Sequence, residues 1–193
     1  MKKQLSEMTL EELWGFFPII LKEYNPQYIN WYENEKQHII DIVGSENILR
    51  ISHIGSTAVK GLISKPTIDI LLEIDGCCDV TKLTNVLTEA GWGLMQTESN
   101  PTKIKFCKGY TPNGFADKVF HLHVAYMGDW SELYFRDYLI VHPVVVAEYG
   151  KIKQDLLTNY EHDRDGYTRA KSDFVLKYSN TAKHEFHSRY KPK

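Results

Sequence analysis

Residues 53–69 hold the residue types best suited to chemistry, because a Gly-Ser turn there precedes a strand that carries an acid. The turn is Gly55-Ser56-Thr57. Glycine lets a ligand approach the backbone closely, and the amides and hydroxyls of such a turn suit phosphate oxygens. Lys65 would add a positive charge beside them. An ordinary strand-to-helix turn has the same pattern, so the turn by itself is a weak indication of phosphate binding.

Asp69 interrupts the otherwise apolar strand pattern TIDILLEI of residues 67–74. A carboxylate in a buried strand is costly unless it is paired or binds a metal ion. Asp69 is therefore predicted either as an acid of the site or as the partner of a neighbouring Arg or Lys. Alternation places Glu73 on the same face, roughly 13 Å further along. We predict that Glu73 is the solvated end of the strand.

His121 and His123 lie two residues apart in another predicted strand. Their rings then emerge on one face, roughly 6–7 Å apart. With Asp69 they would form a two-histidine, one-carboxylate set for an ion such as Zn²⁺, Mn²⁺, Ni²⁺ or Fe²⁺, and His53 would be a fourth group. The same pattern fits acid/base catalysis or phosphate contacts, since imidazole titrates near neutrality. It also fits structural pairing, so the catalytic and metal-binding prediction for Asp69, His121 and His123 keeps these alternatives open.

Basic side chains elsewhere would complete a phosphate site. Arg136 would clamp a phosphate with its planar fork, or form a salt bridge with Asp69 or Asp137. Four lysines would add positive charge, although each taken singly fits a solvated surface: Lys105, Lys108, Lys153 and Lys171. The predicted phosphate- or nucleotide-binding set is His53, Gly55, Ser56, Thr57, Lys65 and Arg136.

The elements that position these residues begin with two helices in a segment spanning residues 1–46. Thr9 and Glu12 fit a capping box, and apolar residues recur at helical spacing from Leu10 to Leu21. A second helix is predicted to begin at Asn25-Pro26 and to end at Gly44.

A sheet core follows over residues 47–126, and a helical segment over residues 127–193. Strands are predicted at 47–54, 67–74, about 102–109 and about 118–126, with a helix at about 79–91. The last part is predicted to be helical, with breaks near 142–143 and 159–166, a final helix from about 166 past 182, and a frayed tail. This pattern predicts one α+β domain over 1–193, with a small mixed sheet flanked by helices at both termini.

Composition limits the class of protein. The chain has 193 residues, 42% of them hydrophobic, a formal net charge of −2 and no basic block, which suits one globular domain without a nucleic-acid partner. Its three cysteines lack C-x-x-C spacing, which argues against a disulfide framework and suits a reducing cytoplasm. Neither a signal peptide nor a membrane span is expected, because no long apolar run occurs. The oligomeric state stays open.

Several motifs in order resemble the GrpB-like family, a largely uncharacterised group within the nucleotidyltransferase superfamily. The motifs run through most of the chain: Asn25-Pro26…Trp31, residues 53–59 (HIGSTAV), residues 65–70 (KPTIDI), residues 121–124 (HLHV), residues 135–139 (FRDYL), His142-Pro143, Glu148-Tyr149 and Tyr167…Lys171…Phe174.

For that superfamily, the resemblance implies a nucleotidyltransferase-like fold and a Gly-Ser turn that holds nucleotide phosphates. It also implies two carboxylates, at alternate positions of a strand, that bind Mg²⁺, with a third from a later strand. Gly55, Ser56 and Asp69 match, whereas Leu71 stands at the second acid position. His121 and His123 stand where a later acid is expected, and they favour a transition metal over Mg²⁺.

Three functions remain open from the sequence. The first is a nucleotidyltransferase that uses a nucleoside triphosphate and a divalent ion to modify a small acceptor. The second is a catalytically silent module that binds a nucleotide or another small molecule, which the loss of the second acid favours. The third is a metal-dependent hydrolase built on Asp69, His121 and His123.

Overall fold

A five-stranded mixed sheet forms the centre of the protein. The computed structural model describes residues 5–99 and 102–192. Its strands are β1 (Ile48–Ile54), β2 (Thr67–Ile74), β3 (Gly93–Ser99), β4 (Thr102–Thr111) and β5 (Gly114–Tyr126). Their order across the sheet is β1-β2-β5-β4-β3. Only β2 and β5 pair in parallel, with Asp69 opposite His121; the other pairs of these strands are antiparallel.

Helices cover both faces of this sheet. They are α1 (Leu10–Phe16), α2 (Gln27–Val43), α3 (Val80–Glu89), α4 (Ser131–Val141), α5 (Pro143–Tyr160), α6 (Arg164–Ala170) and α7 (Ser172–Glu185). One face of β2, with Ile68, Ile70 and Leu72, packs in a core that includes residues of α2 and α3. On the other face, Leu71 packs with Leu133 of α4. The predicted α+β fold, a small mixed sheet between N- and C-terminal helices, is confirmed.

Local sequence signals account for several element boundaries. The capping box of Thr9 and Glu12 is present at the start of α1. The Asn25 side chain accepts a hydrogen bond from the backbone N–H of Gln27 at 2.9 Å, and α2 ends at Gly44, whose φ is +85°. Such caps satisfy backbone groups that a helix end leaves unpaired.

Three elements of the structure differ from the prediction. Helix α1 ends at Phe16 rather than Leu21, because Pro18 cannot continue a helix; the following segment forms a bridge between Lys22 and Ser64. Strand β3 is not predicted by the sequence, since its Leu94 and Met95 are both exposed and do not alternate with polar residues. The final predicted helix is divided into α6 and α7.

The C-terminal tail is held in place rather than frayed. The backbone N–H of Tyr190 donates to the Tyr134 hydroxyl at 2.9 Å, and the ring of Tyr190 lies under the Arg50 guanidinium. The described helices include none that is both long and apolar enough to cross a bilayer. The three cysteines, at 77, 78 and 107, are free thiols.

Candidate functional site

The Gly-Ser turn lies directly against the acid of β2. Gly55 follows β1 with a φ of +69°, and a β-carbon on it would collide with the carboxylate of Asp69. Only glycine adopts such a conformation without strain and permits this close approach. Ser56 and Thr57 continue as a single 3₁₀ turn. The turn and the acid, which the sequence assigns to one candidate site, are therefore in contact with each other.

The side chains of Thr57 and His53 are hydrogen-bonded to each other. The Thr57 hydroxyl donates to the backbone carbonyl of Thr67 at 3.0 Å, and His53 Nε2 lies 3.0 Å from the hydroxyl oxygen of Thr57. The His53 ring stacks on Tyr32 of α2, on the face of the sheet opposite Asp69. Burial lowers the pKa of His53 to about 4, so this ring stays neutral at physiological pH.

Asp69 is the end of a chain of hydrogen bonds that runs through a histidine and a tyrosine. His121 Nδ1 lies 3.1 Å from Asp69 Oδ1, and His121 Nε2 lies 2.8 Å from the Tyr110 hydroxyl. Arg164 donates from Nη2 to that hydroxyl at 2.8 Å. Since the guanidinium can only donate, the tyrosine O–H donates to Nε2, and Nδ1–H donates to the carboxylate. Both ring nitrogens of His121 are therefore hydrogen-bonded.

The charges of this chain follow from burial and hydrogen bonding. Burial alone would raise the pKa of Asp69, but the hydrogen bond from His121 and the nearby imidazole of His123 outweigh it and hold the pKa well below its usual range. Burial lowers the pKa of His121, although its hydrogen bond to Asp69 acts in the opposite direction. Asp69 is thus an ionised acid with a neutral imidazole beside it.

His123 is the second histidine on this face. Its Nε2 lies 3.9 Å from Asp69 Oδ1, which is too far for a hydrogen bond. Over residues 5–99 and 102–192, no three His, Cys, Asp or Glu side chains form a group that would hold a metal ion. The metal site of Asp69, His121 and His123 stays a prediction from the sequence.

Three lysines and an arginine gather around Asp69 and Ser56. Lys153 of α5 is 2% exposed and donates from Nζ to Ser56 Oγ at 3.2 Å and to the carbonyl of Ile63. Lys171, between α6 and α7, places its ammonium 4.1 Å from the ring centroid of Tyr167. With Lys65 and Arg164, they form what we call the cationic cluster.

The members of the cationic cluster are close enough to influence one another. Burial lowers the pKa of Lys153 and of Lys171 to about 7 each, and the charge of Lys65 acts in the same direction on both. Burial also lowers the pKa of Lys65 to about 8, and the charge of Arg164 contributes. Like charges that depress one another in this way indicate a place where an anion would be stabilised.

Sequence reasoning found only part of this cluster. It gave Lys65 a role, offered Lys153 and Lys171 either as added positive charge or as solvated surface residues, and did not consider Tyr110 or Arg164. The motif Tyr167…Lys171 was a usable signal for Lys171, since it belongs to the family pattern. Two other lysines lie apart from the cluster: Lys105 donates to Gln96, and Lys108 pairs with Glu35.

Arg136 supports the end of β1 instead of reaching Asp69. It donates from Nη1 to the carbonyl of His53 at 3.0 Å and from Nη2 to the Tyr190 hydroxyl at 2.9 Å. Its ion pair is with Asp137, at 2.7 Å, so of the two salt bridges predicted for it only this one forms. Arg136 thereby fixes the strand that leads into the Gly-Ser turn.

The remainder of β2 contains no further acid of the site. Leu71, at the position where a second acid is expected, is 1% exposed and packs with Ile54 and Leu133. Glu73 is fully buried and not solvated, so that prediction is wrong. It forms an ion pair with Arg50 and accepts from the backbone N–H of Gly128 at 3.1 Å. The partly buried arginine partner, supplied by β1, explains why a carboxylate is tolerated there.

The fold and site together define a small α+β protein with a Gly-Ser turn against one acid. A sequence model of the GrpB protein family matches residues 18–181, so the chain belongs to the GrpB family. The glutamate-rich protein GrpB of Alkalihalophilus pseudofirmus is 36% identical over 161 residues, which are 81% of this chain and 91% of that protein.

Solved structures agree with this assignment. The crystal structure of the conserved protein GrpB from Enterococcus faecalis superposes with a TM-score of 0.75 at 28% identity, covering 86% of this chain and 99% of that one. The Cid1 poly(U) polymerase, solved with MgGTP bound, aligns with a TM-score of 0.43 at 13% identity, covering 75% of this chain and 47% of the polymerase. A similarity that low carries no argument about activity.

Proposed function

We propose that this protein binds a nucleotide or another phosphorylated small molecule in the cationic cluster beside the Gly-Ser turn. The observation that carries the proposal is the lack of a partner for the charges of two lysines in the described structure. In the described part of the chain, the ammonium groups of Lys65 and Lys171 have no hydrogen-bond or ion-pair partner, although both are half-buried. Partly buried, unpaired charges are costly, and a phosphate would supply their missing partner.

The roles within the cluster differ. Lys65 and Lys171 would contact phosphate oxygens, whereas Lys153 is already engaged with Ser56 and orients the turn. Arg164 has donors left after its bond to Tyr110 and would contribute a further contact. The positive charge of these four groups would offset the negative charge of a polyphosphate bound next to the ionised Asp69.

The side chains present do not fit the two-magnesium site that the superfamily resemblance implies. Mg²⁺ prefers several oxygen ligands, whereas the carboxylate that the described part of the chain places against Gly55 is that of Asp69. Leu71 is packed among apolar side chains, and both nitrogens of His121 are already hydrogen-bonded. We therefore assign charge neutralisation to the cationic cluster and derive no step through a metal ion.

Calorimetric titration with inorganic tripolyphosphate and with the four nucleoside triphosphates would test this proposal. We expect binding by the unmodified protein and a loss of about tenfold or more in affinity for Lys65→Met and for Lys171→Met, because each removes a charge-assisted hydrogen bond. Lys60→Met is the matched control, since Lys60 is an exposed lysine at the same turn. If none of these anions binds, or if Lys60→Met weakens binding equally, the proposal fails.

Transfer of a nucleotidyl group to a small acceptor is the second candidate. The feature that favours it is the ionised carboxylate of Asp69, held against the backbone of Gly55. Release of pyrophosphate from a nucleoside triphosphate, in the presence of a small-molecule cell extract, would support transfer if Asp69→Asn abolished it. Binding without such release would support the silent ligand-binding module.

The metal-dependent hydrolase, the cytoplasmic location and the absence of nucleic-acid and membrane partners stay predictions. For the hydrolase, His121 would have to exchange its hydrogen bond to Asp69 or Tyr110 for a metal ion. Release of inorganic phosphate that depends on an added transition metal and is lost in His123→Ala would favour it over the two functions above.

A further inference from the structure

A cavity of about 390 Å³ adjoins the cationic cluster. Its walls come from the segment before α2, the first turn of α2, the start of β2, the tip of the β4–β5 hairpin and the start of α6. Lys65 and Arg164 line this cavity and also belong to the cationic cluster. The cavity and the cluster are therefore two parts of one continuous site.

The other walls of the cavity combine aromatic and aliphatic side chains with polar ones, which include the acids Glu23 and Asp117. Tyr28, Trp31 and Phe115 contribute rings, and Ile20 contributes an aliphatic side chain. Ile20 is 42% exposed and Phe115 is 36% exposed. A ligand that filled the cavity would cover part of this exposed apolar surface. Apolar side chains exposed inside a concave site beside fixed charges are typical of a ligand pocket.

We propose that this cavity binds an aromatic ring that carries an anionic group. The ring would pack against Trp31, Phe115 and Ile20, and its phosphate or carboxylate would pair with Lys65 and Arg164. The inference rests on the proposed function, because it uses Lys65 as an anion-binding group. It adds that the ligand has a planar apolar part, which inorganic phosphates lack.

Two sources would supply this chemistry. One is the base of the nucleotide whose phosphates occupy the cationic cluster, and the other is a separate aromatic acid that serves as the acceptor. A cavity of this volume holds a single or fused ring system, in the lower part of the size range of small-molecule pockets.

The test compares phenyl phosphate with inorganic phosphate by calorimetric titration. We expect phenyl phosphate to bind at least tenfold more tightly, because its ring is removed from water in the cavity. Ile20→Ala should weaken phenyl phosphate about fivefold, whereas Ile29→Ala should not, since Ile29 is an exposed isoleucine outside the cavity. Ala116→Trp, at another position of the cavity wall, should fill the space and abolish the preference for phenyl phosphate.

Inorganic tripolyphosphate separates failure of this inference from failure of the proposed function. If tripolyphosphate binds but phenyl phosphate has no advantage over phosphate, or keeps its advantage in Ala116→Trp, the cavity inference is wrong and anion binding stands. If neither anion binds the unmodified protein, the proposed function fails as well. Retained tripolyphosphate binding also shows that each variant is folded.

Titration with ATP then identifies the source of the ring. If ATP binds the unmodified protein more tightly than tripolyphosphate and loses this advantage in Ala116→Trp, the nucleotide base occupies the cavity. If the affinity for ATP is the same in Ala116→Trp as in the unmodified protein, a separate aromatic acid occupies it. Both results support an aromatic anion in the cavity.

Discussion

Anion binding to the cationic cluster should weaken as the pH rises, and Lys171 is the group that sets the size of this effect. Three influences act on its ammonium: burial and the charge of Lys65 lower the pKa to about 7, and the charge of Asp69 opposes them. The ring of Tyr167 lies beside it. An anion prefers the protonated amine, so binding draws a proton onto Lys171, and the affinity falls above the pKa of the free protein.

The magnitude follows from that pKa. Lys171 is about half protonated at pH 7 and roughly one hundredth protonated at pH 9, so affinity should fall about 50-fold over this interval, or about 2.3 kcal/mol. Lys65, with a pKa of about 8, titrates in the same range and would steepen the decline. An unshifted lysine would give almost no change below pH 9, because its pKa is near 10.4.

Titration calorimetry with inorganic tripolyphosphate between pH 7 and pH 9 measures this effect. Two buffers with different ionisation enthalpies at each pH report the number of protons taken up on binding. In Lys171→Arg the guanidinium stays charged, so the pH dependence should become shallower. Equal affinity at pH 7 and pH 9, with no proton uptake, would refute the reasoning that places a depressed lysine in the site.

Three further predictions concern the strands and turn that hold the site, each measured by urea unfolding. Gly55→Ala should lower the free energy of unfolding by about 1–3 kcal/mol more than Gly61→Ala, because both have positive φ but only the first meets a neighbouring carboxylate; equal losses would contradict this. Glu73→Ala should cost about 3 kcal/mol by leaving its arginine unpaired, against less than about 1 for the exposed Glu33→Ala; a similar small cost for both would refute the buried pair. Leu71→Asp should lose about 3–5 kcal/mol and gain no Mg²⁺ affinity, since its surroundings are apolar; a stable variant that binds Mg²⁺ would overturn this.

Much of the fold was predictable because its signals are local. The β2 prediction of residues 67–74 matches the structure, since a continuous apolar run between turn residues indicates a buried strand. The Asn25-Pro26 pair before α2 and the glycine at 44 indicated both ends of this helix. Strand β3 was missed because its own side chains show no alternation of apolar and polar residues, although it pairs with β4, the next strand along the chain.

The pairing of each polar side chain depends on residues from distant parts of the chain. Glu73 has the same alternation as Asp69, yet it is paired with Arg50 and Asp69 with His121. His53 and His121 are both strand histidines, but they lie on opposite faces of the sheet. Sequence spacing predicts which residues of a strand share one face of the sheet. It does not predict which helix covers that face.

The sequence by itself determined the family, the mixed α+β fold, and the assignment of the Gly-Ser turn and Asp69 to one candidate site, because these depend on short motifs and on alternation within single strands. The tertiary structure alone decided that Lys153, Lys171 and Arg164 come from the C-terminal helices to meet Lys65, and that a cavity adjoins them. The physical reason is that burial and charge proximity are properties of packing between separate elements. A lysine that looks solvated in the sequence becomes an unpaired charge of the site only when those helices pack against the turn.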